Sequence, residues 1–431
     1  MFNQVKLSRK KIVLLLLFFM LSNSYIWSQE VDTARITRLE QKSKFLEEAV
    51  KKLQNFKISG YVQAQYQYGE ADASLKVGTK NDNPDKGFHR IGIRRGRIKL
   101  AYDDRFAAGT FQIDLTEKGI NLKDAYLTVK DAWFHSGCQI KAGVFNRPFG
   151  DEISYSSSVR ESPERTILCQ SLFPDERDLG LMLTLQAPST SAWSILKLEA
   201  GIFAGNGIKL EIDNRTDFIG HLSVNKEFKN KIKLAGGLSY YYGSVYQGTE
   251  KVYAMRGNEF ILSEEDNNKS KFAKREYIGV DVQFSVVSAA GMTQLRAEYL
   301  FGQQPSSAAD SKSPNASALP SHDTYIRPFS GAYLLFVQDF GNVIPLSAVL
   351  KYDWFDPNCK MAGNRIGAQL YSGAGDIAYH TFGFGLLWRI TPNIRLQAYY
   401  DLILNEKSHN LTDYNKDKKD NVFTLRLQYK F

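Results

Sequence analysis

The sequence predicts an all-β chain: one closed, antiparallel β-barrel of sixteen strands that crosses a membrane, preceded by a short helix. Three observations carry this. Polar and apolar residues alternate with a period of two from Phe56 to Phe431, long connections alternate with short ones, and the N-terminus has the layout of an export leader.

The leader comes first. Lys6, Arg9, Lys10 and Lys11 precede the apolar run Ile12 to Leu21, and Ser28 offers a small residue for cleavage, so residues 1–28 read as a secretory signal peptide with Gln29 as the mature N-terminus. The run is shorter than the ~20 residues a membrane-spanning helix needs, and no stop-transfer pattern follows it. Between leader and barrel, in 29–55, Ile36, Leu39, Leu46, Val50 and Leu53 fit the a and d positions of a heptad, with Ser43 at the missing a site. Two readings stand here: a short coiled coil associating protomers on the periplasmic side, or a single amphipathic helix packed against the barrel mouth.

From Phe56 the period changes. Ile58, Gly60, Val62, Ala64, Tyr66 and Tyr68 form one face, while Gln63, Gln65 and Gln67 occupy the other. Such a strand wants lipid on one side and water on the other. The pattern recurs where Phe111, Ile113 and Leu115 oppose Thr110, Gln112 and Asp114, and where Ile278, Val280, Val282, Phe284 and Val286 oppose Asp281 and Gln283. It also closes the chain, with Phe423, Leu425, Leu427, Tyr429 and Phe431 alternating with Thr424, Arg426, Gln428 and Lys430. Hydrocarbon rejects Arg426 and Lys430, which makes theirs the lumen face.

This reading places strands at 56–69, 88–102, 106–116, 121–130, 137–145, 178–187, 193–204, 215–228, 231–243, 274–287, 292–302, 328–340, 345–356, 378–390, 394–404 and 422–431. The connections 70–87, 146–177, 244–273, 303–327, 357–377 and 405–421 are long and polar; 103–105, 188–192, Lys229–Asn230, Ser288–Gly291 and Thr391–Asn393 are short. Loops sorted by parity mark an outer-membrane barrel with an even strand count and both termini in the periplasm. A soluble β-sandwich has no reason to sort them.

Composition agrees: mean hydropathy is −0.33 and aromatic residues make up 13%, as alternating strands with interfacial girdles require. The net charge of +9 lies partly in the leader and is otherwise dispersed, which speaks against nucleic-acid binding. Cys138, Cys169 and Cys359 are too few and scattered for a disulfide framework or a zinc site, although an oxidising compartment permits one pair. No cofactor or metal is expected.

Several stretches together resemble the family of phosphate-selective porins O and P, particularly its Bacteroidetes relatives, over nearly the whole mature chain. They are Arg94-Arg95-Gly96-Arg97, Leu122 to Leu127, Lys141 to Gly150 (KAGVFNRPFG), Glu164-Arg165, Arg177 to Gly180, Leu295 to Leu300, and Tyr352 to Pro357. The resemblance implies a 16-stranded barrel, usually trimeric, with its third loop folded inward to constrict the pore. A porin selects rather than catalyses: rings of Arg or Lys replace part of an anion's hydration and reject cations.

Parity points Arg95, Arg97 and Lys99 into the lumen, opposite Ile98, Leu100 and Tyr102; Arg296 with Glu298, Lys351 with Asp353, and Arg426 with Lys430 do likewise. Arg94 and Arg90 fall on the other parity, which implies a bulge near Gly92 or Gly96, or a rim position. The connection 146–177 adds Arg147, Arg160, Arg165 and Arg177 among Asp151, Glu152, Glu161, Glu164, Asp175, Glu176 and Asp178. The expected function is an anion-favouring channel for small hydrophilic solutes, phosphate among them. Its expected partners are outer-membrane lipids, the barrel-insertion machinery and two further copies of the chain. A non-selective diffusion pore and a non-conducting adhesin or structural barrel are the alternatives. An enzyme is not expected, because no His lies beside a Ser and an acid in a hydrolase spacing; His380 shares an apolar face with Phe382, Phe384 and Trp388 and reads as interfacial.

Overall fold

A computed structural model describes residues 9–431 except 84, 132–136, 229–230 and 342, and leaves aside the side chains of 9–12, 15 and 21–32. The first basic residue of the expected leader, the side chains around its cleavage point and the turn Lys229–Asn230 therefore lie outside the described residues.

Two compact units divide the chain at Lys57/Ile58. The first is the helix α1, Arg9–Gln54, which runs unbroken through both the expected leader and the heptad segment. No helix among the described residues is long and apolar enough to cross a membrane.

The second unit is a closed sheet. Its strands are β1 (Phe56–Gly69), β2 (Phe88–Asp103), β3 (Ala107–Thr116), β4 (Gly119–Lys130), β5 (Cys138–Asn146), β6 (Arg177–Gln186), β7 (Leu196–Phe203), β8 (Asp217–Phe228), β9 (Ile232–Tyr246), β10 (Lys251–Arg256), β11 (Glu259–Glu264), β12 (Phe272–Ser288), β13 (Gly291–Ser306), β14 (Thr324–Asp339), β15 (Leu346–Asp356), β16 (Tyr379–Arg389), β17 (Ile394–Asn405) and β18 (Val422–Lys430). Sixteen of them form the barrel, each antiparallel to its neighbours, because β9 pairs with β12 from Tyr246↔Phe272 to Ile232↔Val286 and leaves β10 and β11 aside. Closure comes from β1 against β18, Tyr61↔Lys430 through Gly69↔Val422. Gly60 and Phe431 add a reciprocal pair of 2.9 Å backbone bonds.

The β10–β11 hairpin was not expected. It rises at the long-loop end, where Val252–Ala254 run parallel to Thr324–Ile326 of β14, and Tyr253, Phe260 and Tyr325 pack with Met361, Ile366 and Ile377 of the neighbouring loop. Strand ends shift by a few residues elsewhere, β13 running on to Ser306 and β14 beginning at Thr324, and the segment expected to open β7 is a 3₁₀ turn at Ala192–Ile195, capped by the Ser191 hydroxyl.

Period two places the side chains as the physics of a barrel wall demands. Ile98, Leu100, Leu181, Leu183, Val280, Val282, Leu425 and Leu427 face outward and exposed, while Gln63, Gln65, Gln67, Thr424, Arg426 and Gln428 are buried inside. His380 lies on the outer face, its ring stacked at 6.2 Å on Tyr352 with Nδ1 2.9 Å from the tyrosine hydroxyl, consistent with an interfacial position. The three cysteines are free.

Candidate functional site: a lumen divided by an in-folded loop

The connection 147–176 between β5 and β6 folds into the barrel, and its sequence shows why it stays there. Phe149, Ile153, Leu168, Leu172 and Phe173 bury against Tyr241, Tyr277, Phe329 and Phe355 of the wall, a small hydrophobic core inside a polar lumen. Two glycines make room. Gly279 sits where an added Cβ would come 2.7 Å from the Phe149 ring, and Gly150 takes φ +57, which turns the loop inward beside Glu298. Glu298 then accepts the backbone N–H groups of Asp151 and Glu152 at 3.2 and 3.1 Å. A short helix, α2 (Ile167–Leu172), is capped by Thr166, whose hydroxyl donates to Glu152.

Polar ties fix the rest of the loop to the opposite wall. Tyr61 and Ser157 hydroxyls meet at 2.7 Å, Gln428 donates to the Ser158 carbonyl at 3.0 Å, and Arg426 donates to the Pro163 carbonyl at 2.7 Å. Glu164 accepts from Arg94 and Arg426 at 2.8 Å and from Arg95 at 3.2 Å. Burial alone would raise this carboxyl, but the three guanidinium groups hold it well below the usual range.

Arg94 and Arg95 reach one carboxylate although they are neighbours on β2. The alternation breaks at Gly96, whose backbone lies against the Leu115 carbonyl and whose N–H donates to Asp114 Oδ1 at 2.9 Å; the regular β2–β3 ladder begins only at Arg97↔Asp114. Of the two arginines on the opposite parity, Arg94 is thus turned inward by an irregularity at Gly96, while Arg90 stays at the long-loop rim beside Lys80.

The structure places all seven predicted cations inside the barrel, but six are already engaged. Arg95 pairs with Glu164, Arg97 with Asp114 at 3.3 Å, Arg147 with Asp178 at 3.0 Å, and Arg165 with Glu176. Arg177 spans Asp124 and Glu176, each at 2.8 Å. Arg160 donates to the carbonyls of Ser162 and Pro163 and ties the loop to itself. Lys99 has no carboxylate partner among the described residues. Of the other side chains that parity turns inward, Lys351 pairs with Asp353 at 3.3 Å, whereas Arg296 stacks 3.7 Å from the Tyr155 ring of the loop and leaves Glu298 to the loop backbone.

Three water-accessible spaces follow the loop. Toward the end carrying both barrel termini lies a cavity of about 600 Å³ lined by eight Lys and Arg side chains, including Lys99, Lys141, Lys197 and Lys430, against the four carboxylates Asp124, Asp151, Glu199 and Asp281. Lys141 and Lys197 are absent from the cations expected on the wall, although alternation with Ile140 and Ala142, and with Leu196 and Leu198, carries their signal; Lys141 is held over Tyr126 at 5.0 Å, and Lys197 pairs with Glu199 at 2.8 Å. A narrower space of about 220 Å³ joins it through Arg97 and Arg165 and is walled by Arg94, Arg95, Lys123, Asp114, Glu164, Asp175 and Glu176. On the long-loop side a third, about 480 Å³, adjoins this one through Glu164, Arg165, Gln170 and Pro174. It mixes Lys76, Lys312 and Lys351 with Asp72, Asp353, Asp401 and Asp420. Within the first cavity, burial pushes the Asp151 carboxyl up to about 6 despite Arg296 nearby, with Asp281 and Glu152 adding to the rise.

The arrangement is a polar lumen narrowed by one loop. No protein-family model and no curated protein sequence matches the chain. Solved structures do. The outer membrane channel DcaP of Acinetobacter baumannii superposes with a TM-score of 0.53 at 12% identity, covering 87% of this chain and 97% of that one. OprB of Pseudomonas putida gives 0.56 at 10% identity, covering 89% and 96%. The anion-selective porin from Comamonas acidovorans gives 0.50 at 10%, covering 87% and 99%. The fold is that of the outer-membrane porins. At these identities the likeness is one of fold, and the resemblance to phosphate-selective porins gains no separate support from it.

Proposed function

We propose that this chain is exported by a cleaved leader, inserted into the outer membrane with both barrel termini in the periplasm, and acts as a porin that passes small hydrophilic solutes and favours anions. It selects its solutes and does not transform them. The observation that carries the reading is the charge lining the largest of the three lumen cavities, eight cationic side chains to four carboxylates, with Lys99 free of any carboxylate partner among the described residues. A cationic patch in a confined aqueous channel enriches anions over about 8 Å at physiological salt, comparable with the radius of a narrow pore. Phosphate belongs among the candidate solutes because Arg and Lys groups line the narrowing, although Arg95, Arg97 and Arg165 there are already paired with carboxylates. Assembly as a homotrimer is part of the proposal; OmpT of Vibrio cholerae, which shares the fold with a TM-score of 0.50, is described in a trimer form.

A second reading, a non-selective diffusion pore, is favoured by that same pairing. The test is the zero-current potential of the purified protein in a planar bilayer under a salt gradient. A potential of anion-selective sign supports the first reading, a potential near zero the second, and absence of conductance sinks both in favour of a binding or structural barrel.

A further inference from the structure

We infer that residues 35–54 of α1 form a parallel, in-register coiled-coil seam between copies of this chain. The helix is unbroken from Arg9 to Gln54 and belongs to a compact unit that ends at Lys57, so the heptad positions share one continuous surface. Ile36, Leu39, Leu46, Val50 and Leu53 are each more than half exposed, which leaves an apolar stripe uncovered. A stripe alone does not say what covers it.

The flanking charges do. With Ile36, Ser43 and Val50 at a and Leu39, Leu46 and Leu53 at d, the e positions hold Glu40 and Glu47, and the g positions hold Arg35 and Lys42. In a parallel coil a g side chain meets the e side chain five residues further along on the neighbouring helix. Arg35 therefore meets Glu40 of the neighbouring copy, and Lys42 meets its Glu47. Both contacts join opposite charges. An antiparallel arrangement would instead set g against g and e against e, placing cation on cation and carboxylate on carboxylate. A surface that complements itself in one orientation and repels itself in the other identifies its occupant as another copy of the same chain.

Ser43 adds to the register. It is the one polar residue at an a position, and its hydroxyl donates to Glu47 of its own helix at 3.3 Å. A polar group in the seam disfavours slipped alignments that would set it against leucine. Lys51 and Lys52 lie off the seam in the last turn, where they oppose the negative end of the helix dipole.

The inference does not depend on what the barrel conducts, and its test reads association directly. Leu46→Cys, at d, places a thiol beside its counterpart in a parallel in-register seam, whereas Glu48→Cys, at f, points away. Full-length protein extracted from membranes is oxidised and run without reductant, with the wild type as baseline for its three native thiols. Leu46→Cys is expected to give cross-linked copies well above both the baseline and Glu48→Cys. Adding Arg35→Glu with Lys42→Glu, or Glu40→Lys with Glu47→Lys, should reduce that cross-linked fraction several-fold, and co-expression of the two charge-reversed chains should recover it. Heat-modifiable migration of each variant shows that its barrel has folded. Equal cross-linking at the d and f positions, or yields indifferent to charge reversal, would overturn the inference. Conductance measured on the same preparations reports on the channel reading separately.

Discussion

Glu164 and Arg426, separated by most of the barrel sequence, meet at 2.8 Å across the lumen, so that the last strand holds the in-folded loop. The same carboxylate is shared with Arg94 and Arg95, and it is the only acid among the described residues that binds three arginines. Glu164→Gln keeps the side-chain shape but leaves a cluster of positive charge at the narrowing. Breaking a buried pair on one side costs about 3–5 kcal/mol. The expected outcome is a lower temperature of heat modification together with a shift of the zero-current potential toward stronger anion preference. A variant with wild-type selectivity would place Glu164 outside the conducting path.

Asp151 is expected to give the channel a pH-dependent selectivity. Its folded-state carboxyl is raised to about 6 from an ordinary value near 4, so the fold favours the protonated form. The stability this contributes is fully present below about pH 4 and is lost as pH rises through 6. In the cavity the same protonation removes one of four carboxylates, so anion preference should increase as pH falls from 8 to 5. Asp151→Asn should show a stronger preference already at pH 8, with a flatter profile. Parallel profiles in wild type and variant would assign the response to other groups.

Lys99 and Arg97 point into the same cavity from one strand, yet they differ in what they leave behind. Lys99 has no carboxylate partner among the described residues, so Lys99→Ser should weaken anion preference and leave barrel stability within about 0.5 kcal/mol of wild type, as for surface substitutions. Arg97 pairs with Asp114 and donates to the Ser157 hydroxyl at 3.2 Å, so Arg97→Ser strands a buried carboxylate and frees one loop contact. It should weaken both selectivity and stability. Measured by reversal potential and heat modification, equal behaviour of the two variants would refute this division of roles. A selectivity unmoved by either would favour the diffusion-pore reading.

The barrel was legible in the sequence because a two-residue period recurs in strands whose connections alternate between long and short, which a lipid-facing barrel requires and a soluble sandwich does not. Closure of β18 on β1, the buried face of Gln63, Gln65 and Gln67 and the inward position of Arg426 all follow from it. Parity says which way a side chain points, not what it meets. That Arg147, Arg165 and Arg177 neutralise acids of their own loop and wall depends on contacts between residues distant in sequence, which alternation does not encode. The β10–β11 hairpin did carry a local signal. Arg256 pairs with Glu259 around Gly257-Asn258, and Gly257 adopts φ +62, as a tight two-residue turn needs.

Phe431 joins the assembly of the barrel to its closure. Its backbone exchanges two 2.9 Å bonds with Gly60, and its half-exposed ring continues the outward row of Leu425, Leu427 and Tyr429. Tyr429 lies 6.0 Å from it, ring to ring. Deleting Phe431 removes the last rung between the first and last strands and the terminal member of the face offered to lipid or to the insertion machinery. Closing that seam brings together the two ends of the barrel sequence, so the step carries the largest loop-closure entropy in the sheet and gains most from each local bond. The expected outcome is less folded, heat-modifiable protein in the outer membrane, with unfolded protein retained or degraded before insertion. Phe431→Ala keeps the backbone bonds and loses the ring. If the loss follows the ring, the alanine variant should resemble the deletion; if it follows the rung, the variant should resemble wild type. Wild-type yield from both variants would show the terminal aromatic to be incidental.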